Sequence, residues 1–132
     1  SQNIEKFQKT NEFKLIFESK NLTKVFYSFL KRNSKFFVPK AVAASSEMNV
    51  REFDGGKLTI NKSNKNNGTI YLNIILNETI EKSIKKLYVG NEDVFESLDL
   101  LEFIDNQTQV MIKQTDRIYK LIIDPNVEIF IR

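Results

Sequence analysis

Hydrophobic residues recur at helical spacing between residues 21 and 33. The apolar positions fall at i, i+3, i+4, i+7 and i+8, and they are Leu22, Val25, Phe26, Phe29 and Leu30. This spacing places all five on one face of a helix. Asn21 has a side chain typical of a helix N-cap, and Asn33 is a residue at which helices commonly stop. The pattern therefore predicts an amphipathic helix over residues 21–32.

Alternation of apolar and polar residues predicts strands elsewhere in the first half of the chain. The runs with this pattern are FKLIFES (13–19), MNVREF (48–53), KLTIN (57–61) and TIYLNIIL (69–76). The segment 35–42 is predicted to be extended, and Pro39 favours an edge position or a bulge there. The DGG sequence at 54–56 is a strong turn signal, so it predicts a hairpin between the strands on either side.

The second half of the chain predicts a short helix followed by strands. Ile80, Ile84 and Leu87 are spaced as on one helix face, so residues 78–87 are predicted to be helical. Residues 91–105 fit either a capped helix or a strand, because short apolar runs do not discriminate between the two. The runs TQVMIKQ, RIYKLII and VEIFIR indicate three strands separated by TD and DPN, which predicts a C-terminal β-meander.

These elements together predict an α+β fold. Two or three short helices would pack on one face of a mainly antiparallel sheet of six or more strands, with the β-meander at its C-terminal end. A chain of 132 residues has the usual length of one domain with its own hydrophobic core. Residues 1–132 are therefore expected to form a single domain.

The composition excludes several kinds of site. The chain contains no cysteine and no histidine, which excludes zinc sites built from these residues, thiol nucleophiles and histidine-based triads. The DGGK sequence lacks the spacing of a phosphate-binding glycine loop. Six carboxylates between residues 92 and 105 lie on a segment that is expected to be straight, so they do not converge on an ion. We expect a protein that is not an enzyme and that uses no metal or cofactor.

Hydrophobic runs in this sequence are short. The longest contain three or four residues, far fewer than the roughly 20 that a membrane-spanning helix needs. Residues 1–13 contain no apolar core of the length found in signal peptides, and the lack of cysteine is compatible with a reducing compartment. We expect a cytoplasmic protein that makes no contact with a membrane.

Basic residues cluster on the face of the first predicted helix that lies opposite its apolar stripe, and the second predicted helix also carries lysines. Such faces would suit the phosphate backbone of DNA without reading its sequence. The alternative is a solvated lysine face with favourable charges near a helix C-terminus. The positions predicted to contact DNA are Lys20, Lys24, Lys31 and Arg32 at the first helix, and Lys82, Lys85 and Lys86 at the second.

Charge is distributed unevenly along the chain. Residues 1–67 contain 13 Lys/Arg and 6 Asp/Glu, a net charge of +7, whereas residues 68–132 contain 7 and 11, a net charge of −4. This asymmetry favours either a polyanion partner, such as double-stranded DNA, or head-to-tail association in a homo-oligomer. A solvated surface whose polarity has no function is the other interpretation.

The order of predicted elements resembles one domain of a DNA sliding clamp, the ring-shaped processivity factor that tethers polymerase to DNA during replication. FKLIFESKNLTKVFYSFL looks like the opening strand and helix of that family, DGGKLTI like its hairpin, and SIKKLYVGNEDV like its second helix and following turn. The resemblance implies that basic helix faces line a hole for DNA. Family chains carry two or three such domains, so a chain with one would have to assemble from several copies. The DNA-facing positions that the resemblance implies are Lys20, Lys24, Lys31, Lys82, Lys85 and Lys86.

A second hypothesis is a protein–protein interaction module, for example an accessory or inhibitor protein that does not bind nucleic acid. Such a protein needs no catalytic residues. This hypothesis predicts a large exposed apolar or acidic patch, in particular around residues 92–105. It also predicts no salt-sensitive affinity for DNA.

Overall fold

A 22-residue helix, α1 (Glu12–Asn33), is the longest element of the described chain. The computed structural model describes residues 12–41, 49–79, 84–91 and 93–132, with residues 12–21 described by backbone alone. Within this part of the chain, eight strands follow α1, and a four-residue helix, α2 (Tyr119–Ile122), lies between the last two of them.

The strands form two antiparallel sheets of four strands each. They are β1 (Phe36–Val38), β2 (Val50–Phe53), β3 (Gly56–Lys62), β4 (Thr69–Leu76), β5 (Lys86–Gly90), β6 (Phe95–Asp99), β7 (Gln107–Lys113) and β8 (Glu128–Ile131). We call the sheet with order β1-β8-β5-β6 the helix-covered sheet and the sheet with order β2-β3-β4-β7 the open sheet. The α+β class with antiparallel pairing is confirmed, and the strands are divided between two sheets instead of one.

The two sheets share one apolar core. Alternate residues of the open sheet point into it, such as Leu72 and Ile74 of β4, and the helix-covered sheet contributes Leu87, Val89 and Ile129. All five side chains are fully buried. Because each strand buries every second residue against the opposite sheet, the clearest period-2 run of the sequence forms β4, as predicted.

Helix α1 covers the outer face of the helix-covered sheet through aromatic side chains. Phe26 packs edge-on against Tyr88 with ring centroids 5.7 Å apart, and Tyr27 packs against Phe130 at the same distance. Tyr88 and Phe130 alternate with core residues along β5 and β8, so they point away from the core and toward the helix. The Tyr27 hydroxyl also donates a hydrogen bond to Glu128 Oε1. The predicted helix is thus confirmed.

The outer face of the open sheet carries polar and half-buried side chains. Thr59, Asn73 and Gln109 lie side by side across three strands, and Gln109 Nε2 donates a hydrogen bond to Asn73 Oδ1 over 2.9 Å. Tyr71 is half-buried on this face, and Met111 is exposed beside it. This face is therefore accessible to solvent at its centre.

The predicted DGG hairpin is confirmed. Asp54 and Gly55 form the two-residue loop between β2 and β3, and Phe53 pairs with Gly56. Gly55 has a φ of 121°, and a Cβ atom at this position would lie 2.5 Å from Cε1 of Phe36. The turn therefore needs a residue without a side chain.

The strand predicted over residues 13–19 is wrong, because these residues belong to α1. The sequence has no glycine or proline between them and the predicted helix, so the helix continues through them once it has formed. Asn21 consequently lies inside α1 instead of capping it. Of the predicted apolar stripe, Phe26 and Leu30 are buried, whereas Val25 is exposed.

The helix predicted over residues 78–87 is wrong where it is described. Residues 86–90 form β5, and residues 80–83 lie outside the described residues. The KLYVG run contacts the core on one face and α1 on the other, so its apolar residues are continuous and show no period of two. The ambiguous segment 91–105 contains a strand, β6.

The strand predicted for RIYKLII (117–123) is also wrong. Residues Tyr119–Ile122 form α2, and Ile118 and Ile122 are both buried, four positions apart. In a strand Lys120 would share their face, but it is exposed, so the burial pattern fits a helical turn better than a strand. The two strands on either side, β7 and β8, belong to different sheets.

Candidate polyanion-binding surface

The last turn of α1 carries a group of basic side chains. Lys31 and Arg32 are exposed in this turn, and Lys35 is exposed just beyond it. Asn33 Nδ2 donates a hydrogen bond to the Phe29 carbonyl over 2.8 Å, where the helix ends. Lys31 Nζ lies 5.5 Å from the centroid of the Tyr27 ring, a cation–π contact that keeps this lysine near the helix surface.

Arg132 joins the end of β8 to the same turn. Its Nη1 atom donates a hydrogen bond to the Asn33 carbonyl over 2.7 Å, and its guanidinium carbon lies 5.5 Å from the Phe29 ring centroid. A cation at this end of a helix offsets the partial negative charge of the last carbonyl groups. The contact brings together two residues that are 99 positions apart in the chain.

Backbone pairing adds two lysines from a third segment. Lys35 N donates to Ile131 O over 2.9 Å, Lys85 N donates to Arg132 O over 3.0 Å, and Arg132 N donates to Lys86 O over 2.8 Å. The backbones of these basic residues therefore form one hydrogen-bonded group beside the end of α1. We call the resulting surface the basic end, and it consists of Lys31, Arg32, Lys35, Lys85, Lys86 and Arg132.

Among the described residues, one carboxylate forms an ion pair within the basic end. Lys86 Nζ lies 3.9 Å from Asp99 Oδ1, and the Asp99 side chain is 86% exposed. An ion pair this exposed is weak and easily screened by salt. Counted over the described residues, six cations and this one carboxylate give the basic end a net positive charge, which attracts a polyanion.

Four of the seven residues that were predicted to contact DNA lie in the basic end. They are Lys31, Arg32, Lys85 and Lys86, although the last two reach it at the start of β5 and not on a helix. Lys24 is exposed on α1 two turns before Lys31. Lys20 lies in α1 without a described side chain, and Lys82 lies outside the described residues.

Lys35 and Arg132 were not among the predicted contacts. Their place in the basic end depends on the pairing of β8 with β1 on one side and with β5 on the other. The signal available in the sequence was a basic residue next to each of two hydrophobic runs, FFV and VEIFI. Such a residue is too common to indicate a shared surface without knowledge of the strand pairing.

A second exposed feature lies between β6 and β7. Leu101 is 64% exposed and Ile104 is 71% exposed, and acidic residues flank both. Asp105 and Asn106 have φ values of 52° and 66°, and they form a tight turn that pairs Ile104 with Gln107. We call residues 99–106 the acidic-apolar loop. It begins beside the basic end, because residue 100 donates a backbone hydrogen bond to the Lys85 carbonyl over 2.8 Å.

Comparisons with models of protein families, with curated protein sequences and with solved structures found no match to this chain. Within the described part of the chain, neither helix combines the length and the apolar character needed to cross a bilayer. The resemblance to a sliding clamp stays a prediction.

Proposed function

We propose that the protein binds the phosphate backbone of double-stranded DNA through the basic end, without catalysis and without reading the base sequence. The observation that carries this proposal is that six basic residues from three segments of the chain lie together beside the end of α1, where backbone hydrogen bonds and the Arg132–Asn33 contact join the segments. Lysine and arginine both donate charge-assisted hydrogen bonds to phosphate oxygens. Contacts of this kind position a duplex but carry no information about its sequence.

Binding of this kind depends steeply on salt. Each phosphate that is neutralised contributes about −0.9 to the slope of log affinity against log salt concentration. If all six basic side chains contact phosphates, the affinity falls roughly 10³-fold between 50 and 200 mM salt. A slope near zero would leave no role for the basic end in DNA binding.

Fluorescence anisotropy with a labelled duplex tests the site. The triple variant Lys31→Gln/Arg32→Gln/Lys35→Gln removes three charges from the basic end without placing new negative charge at the C-terminus of α1. We expect the magnitude of the salt slope to fall by about 3, and the affinity at low salt to fall about tenfold or more.

The matched control removes three exposed lysines from the open sheet, in the variant Lys57→Gln/Lys62→Gln/Lys113→Gln. Both variants change the net charge equally, so the comparison separates a local site from a general charge effect. Equal losses of affinity in the two variants would contradict the assignment of the site. No measurable binding by the unaltered protein would contradict the function itself.

The sliding-clamp form of the proposal adds an assembly. Copies of the chain would join head to tail, and their basic surfaces would line a hole around DNA and support processive replication. The opposite net charges of residues 1–67 and 68–132 support such an association. Light scattering over a concentration series tests the assembly separately: a closed hexamer supports it, and a monomer at all concentrations excludes a self-sufficient ring.

The acidic-apolar loop favours a second candidate function, a protein–protein interaction module. Leu101 and Ile104 are large apolar side chains exposed three positions apart, and a contiguous exposed apolar patch is typical of a docking surface. A photoreactive residue in place of Leu101 is then expected to crosslink a protein partner. The crosslink should be lost with Ile104→Asp, and it should not form from the exposed position of Met111 on the open sheet.

A further inference from the structure

Arg51 is a buried cation on β2, with 5% of its surface exposed. Its Nη2 atom donates hydrogen bonds to the Pro39 carbonyl over 2.6 Å and to the Val127 carbonyl, which joins β2 to the ends of β1 and β8. Its Nε and Nη1 atoms are buried and have no hydrogen-bond partner in the described part of the chain. Buried donors are ordinarily satisfied, so two unsatisfied donor nitrogen atoms on one guanidinium group require an explanation.

Among the residues that the structure describes, the charge of Arg51 is balanced only from a distance. No carboxylate of the described residues comes within the 4.0 Å of an ion pair with Arg51. Burial lowers the pKa of Arg51, while the more distant carboxylates of Asp124 and Glu128 act in the opposite direction. Because arginine stays protonated in proteins, its buried charge favours an anion at hydrogen-bond distance.

A cleft of about 110 Å³ lies beside Arg51. Asp124 also lines it, and most of its wall is apolar, including Val50, Ile60, Ile122 and Ile123. A cavity of roughly 150 Å³ holds a benzene molecule, so this cleft has room for about four or five heavy atoms. Its volume and lining suit a small molecule with one polar end and one apolar end.

We propose that the cleft binds a small aliphatic monocarboxylate, whose carboxylate accepts a hydrogen bond from Arg51 Nη1 and whose hydrocarbon stem lies against the apolar wall. The nearby carboxylate of Asp124 disfavours ligands with two negative charges, such as phosphate or a dicarboxylate. The unsatisfied nitrogen atoms have almost no surface open to water in this structure. Binding therefore requires a small shift of the Arg51 side chain or of the exposed wall residue Ile123.

Titration with sodium formate, acetate, propionate, butyrate and valerate tests the proposal, with sodium chloride at equal ionic strength as the reference. The readout is the Nε–H resonance of Arg51 in ¹H–¹⁵N NMR spectra, which reports directly on the guanidinium group. We expect saturable shifts with millimolar affinity, as ligands of this size allow. Each added CH₂ group should tighten binding about fourfold until the cleft is full, and chloride should give no saturable shift.

Variants of three residues separate the site from a general salt effect. Arg51→Met removes the cation and is expected to abolish saturable binding, which in this variant is followed by the backbone amide resonances of the cleft residues Val50 and Ile123. Arg117→Lys, at an exposed arginine, should leave binding unchanged. Asp124→Asn removes a repulsive charge but keeps the acceptor for the Asn126 N–H, so it should tighten binding about threefold. The Asp124→Asn variant therefore tests the site even if Arg51→Met does not fold.

Two results would overturn the proposal. One is that none of the five acids produces a saturable shift of the Arg51 resonance. The other is unchanged affinity in Asp124→Asn together with unchanged affinity in a folded Arg51→Met variant. Neither result bears on DNA binding, because Arg51 is not part of the basic end.

Discussion

The two sheets of this protein share a core, but their outer faces differ in chemistry. The helix-covered sheet presents Tyr88 and Phe130, and α1 buries both of them. The outer face of the open sheet instead carries Thr59, Asn73 and Gln109. These polar groups form hydrogen bonds with one another or face solvent. Leaving an aromatic outer face exposed to water costs free energy, so another element must cover it. An amide-rich face can stay exposed without this cost.

This difference places the candidate site. Because α1 must lie on the aromatic face, its C-terminal turn reaches the end of β8, where Arg132 contacts Asn33. The basic end therefore follows from the packing that covers the aromatic side chains. The open sheet has exposed lysines as well, but they are spread over β3 and β7 and have no helix terminus beside them.

The largest expected effect comes from removing an aromatic side chain beneath α1. Phe130→Ala should lower the free energy of unfolding by about 3–5 kcal/mol, because Phe130 is fully buried between the sheet and the helix. The control, Tyr71→Ala on the outer face of the open sheet, should cost about 1 kcal/mol. Urea unfolding followed by circular dichroism measures both, and equal costs would contradict the view that only one outer face is a packed interface.

A smaller effect is expected from the hydrogen bond that links α1 to β8. Tyr27→Phe removes the hydroxyl that donates to Glu128, and it should cost about 1–2 kcal/mol, because the acceptor is a charged and partly buried carboxylate. Tyr71→Phe on the open sheet should change the stability by less than about 0.5 kcal/mol. A loss from Tyr27→Phe that is no larger than this control would show that the bond contributes nothing to docking of the helix.

The smallest expected effect on stability concerns Arg132, which connects the packing of α1 with the candidate site. Arg132→Gln should lower the free energy of unfolding by about 0.3–1 kcal/mol, since it removes a cation from the helix C-terminus. The same variant should reduce the salt slope of DNA binding by about 1. Arg117→Gln, at an exposed arginine outside the basic end, is the control, and an equal change in slope there would argue against a local site.

The accuracy of the sequence predictions varied with the range of the interactions that form each element. β4 and the DGG hairpin were predicted correctly, because alternation along one strand and a two-residue turn are local features. The predictions over residues 13–19 and 117–123 failed, because a few apolar residues fit a strand and a helical turn equally well. Packing decided between the two at 117–123, since Ile118 and Ile122 are buried whereas Lys120, which would share their face in a strand, is exposed.

The candidate site was anticipated in part for the same reason. Lysines opposite an apolar helical stripe can be recognised in the sequence, and Lys31 and Arg32 do lie exposed at the end of α1. A second basic helix was expected over residues 78–87, but its described lysines, Lys85 and Lys86, lie at the start of β5, where their backbones bond with Arg132. That meeting depends on a strand from the end of the chain pairing between two earlier ones.

The sequence by itself determined the α+β class, the inner face of α1 and the lack of cysteine and histidine chemistry, because these depend on composition and on local hydrophobic period. The tertiary structure decided that there are two sheets, that only one is covered by α1, and that basic residues from three segments converge. The physical reason is that strand partners are selected by the joint burial of faces that lie far apart in the chain. No local pattern of residues encodes that selection.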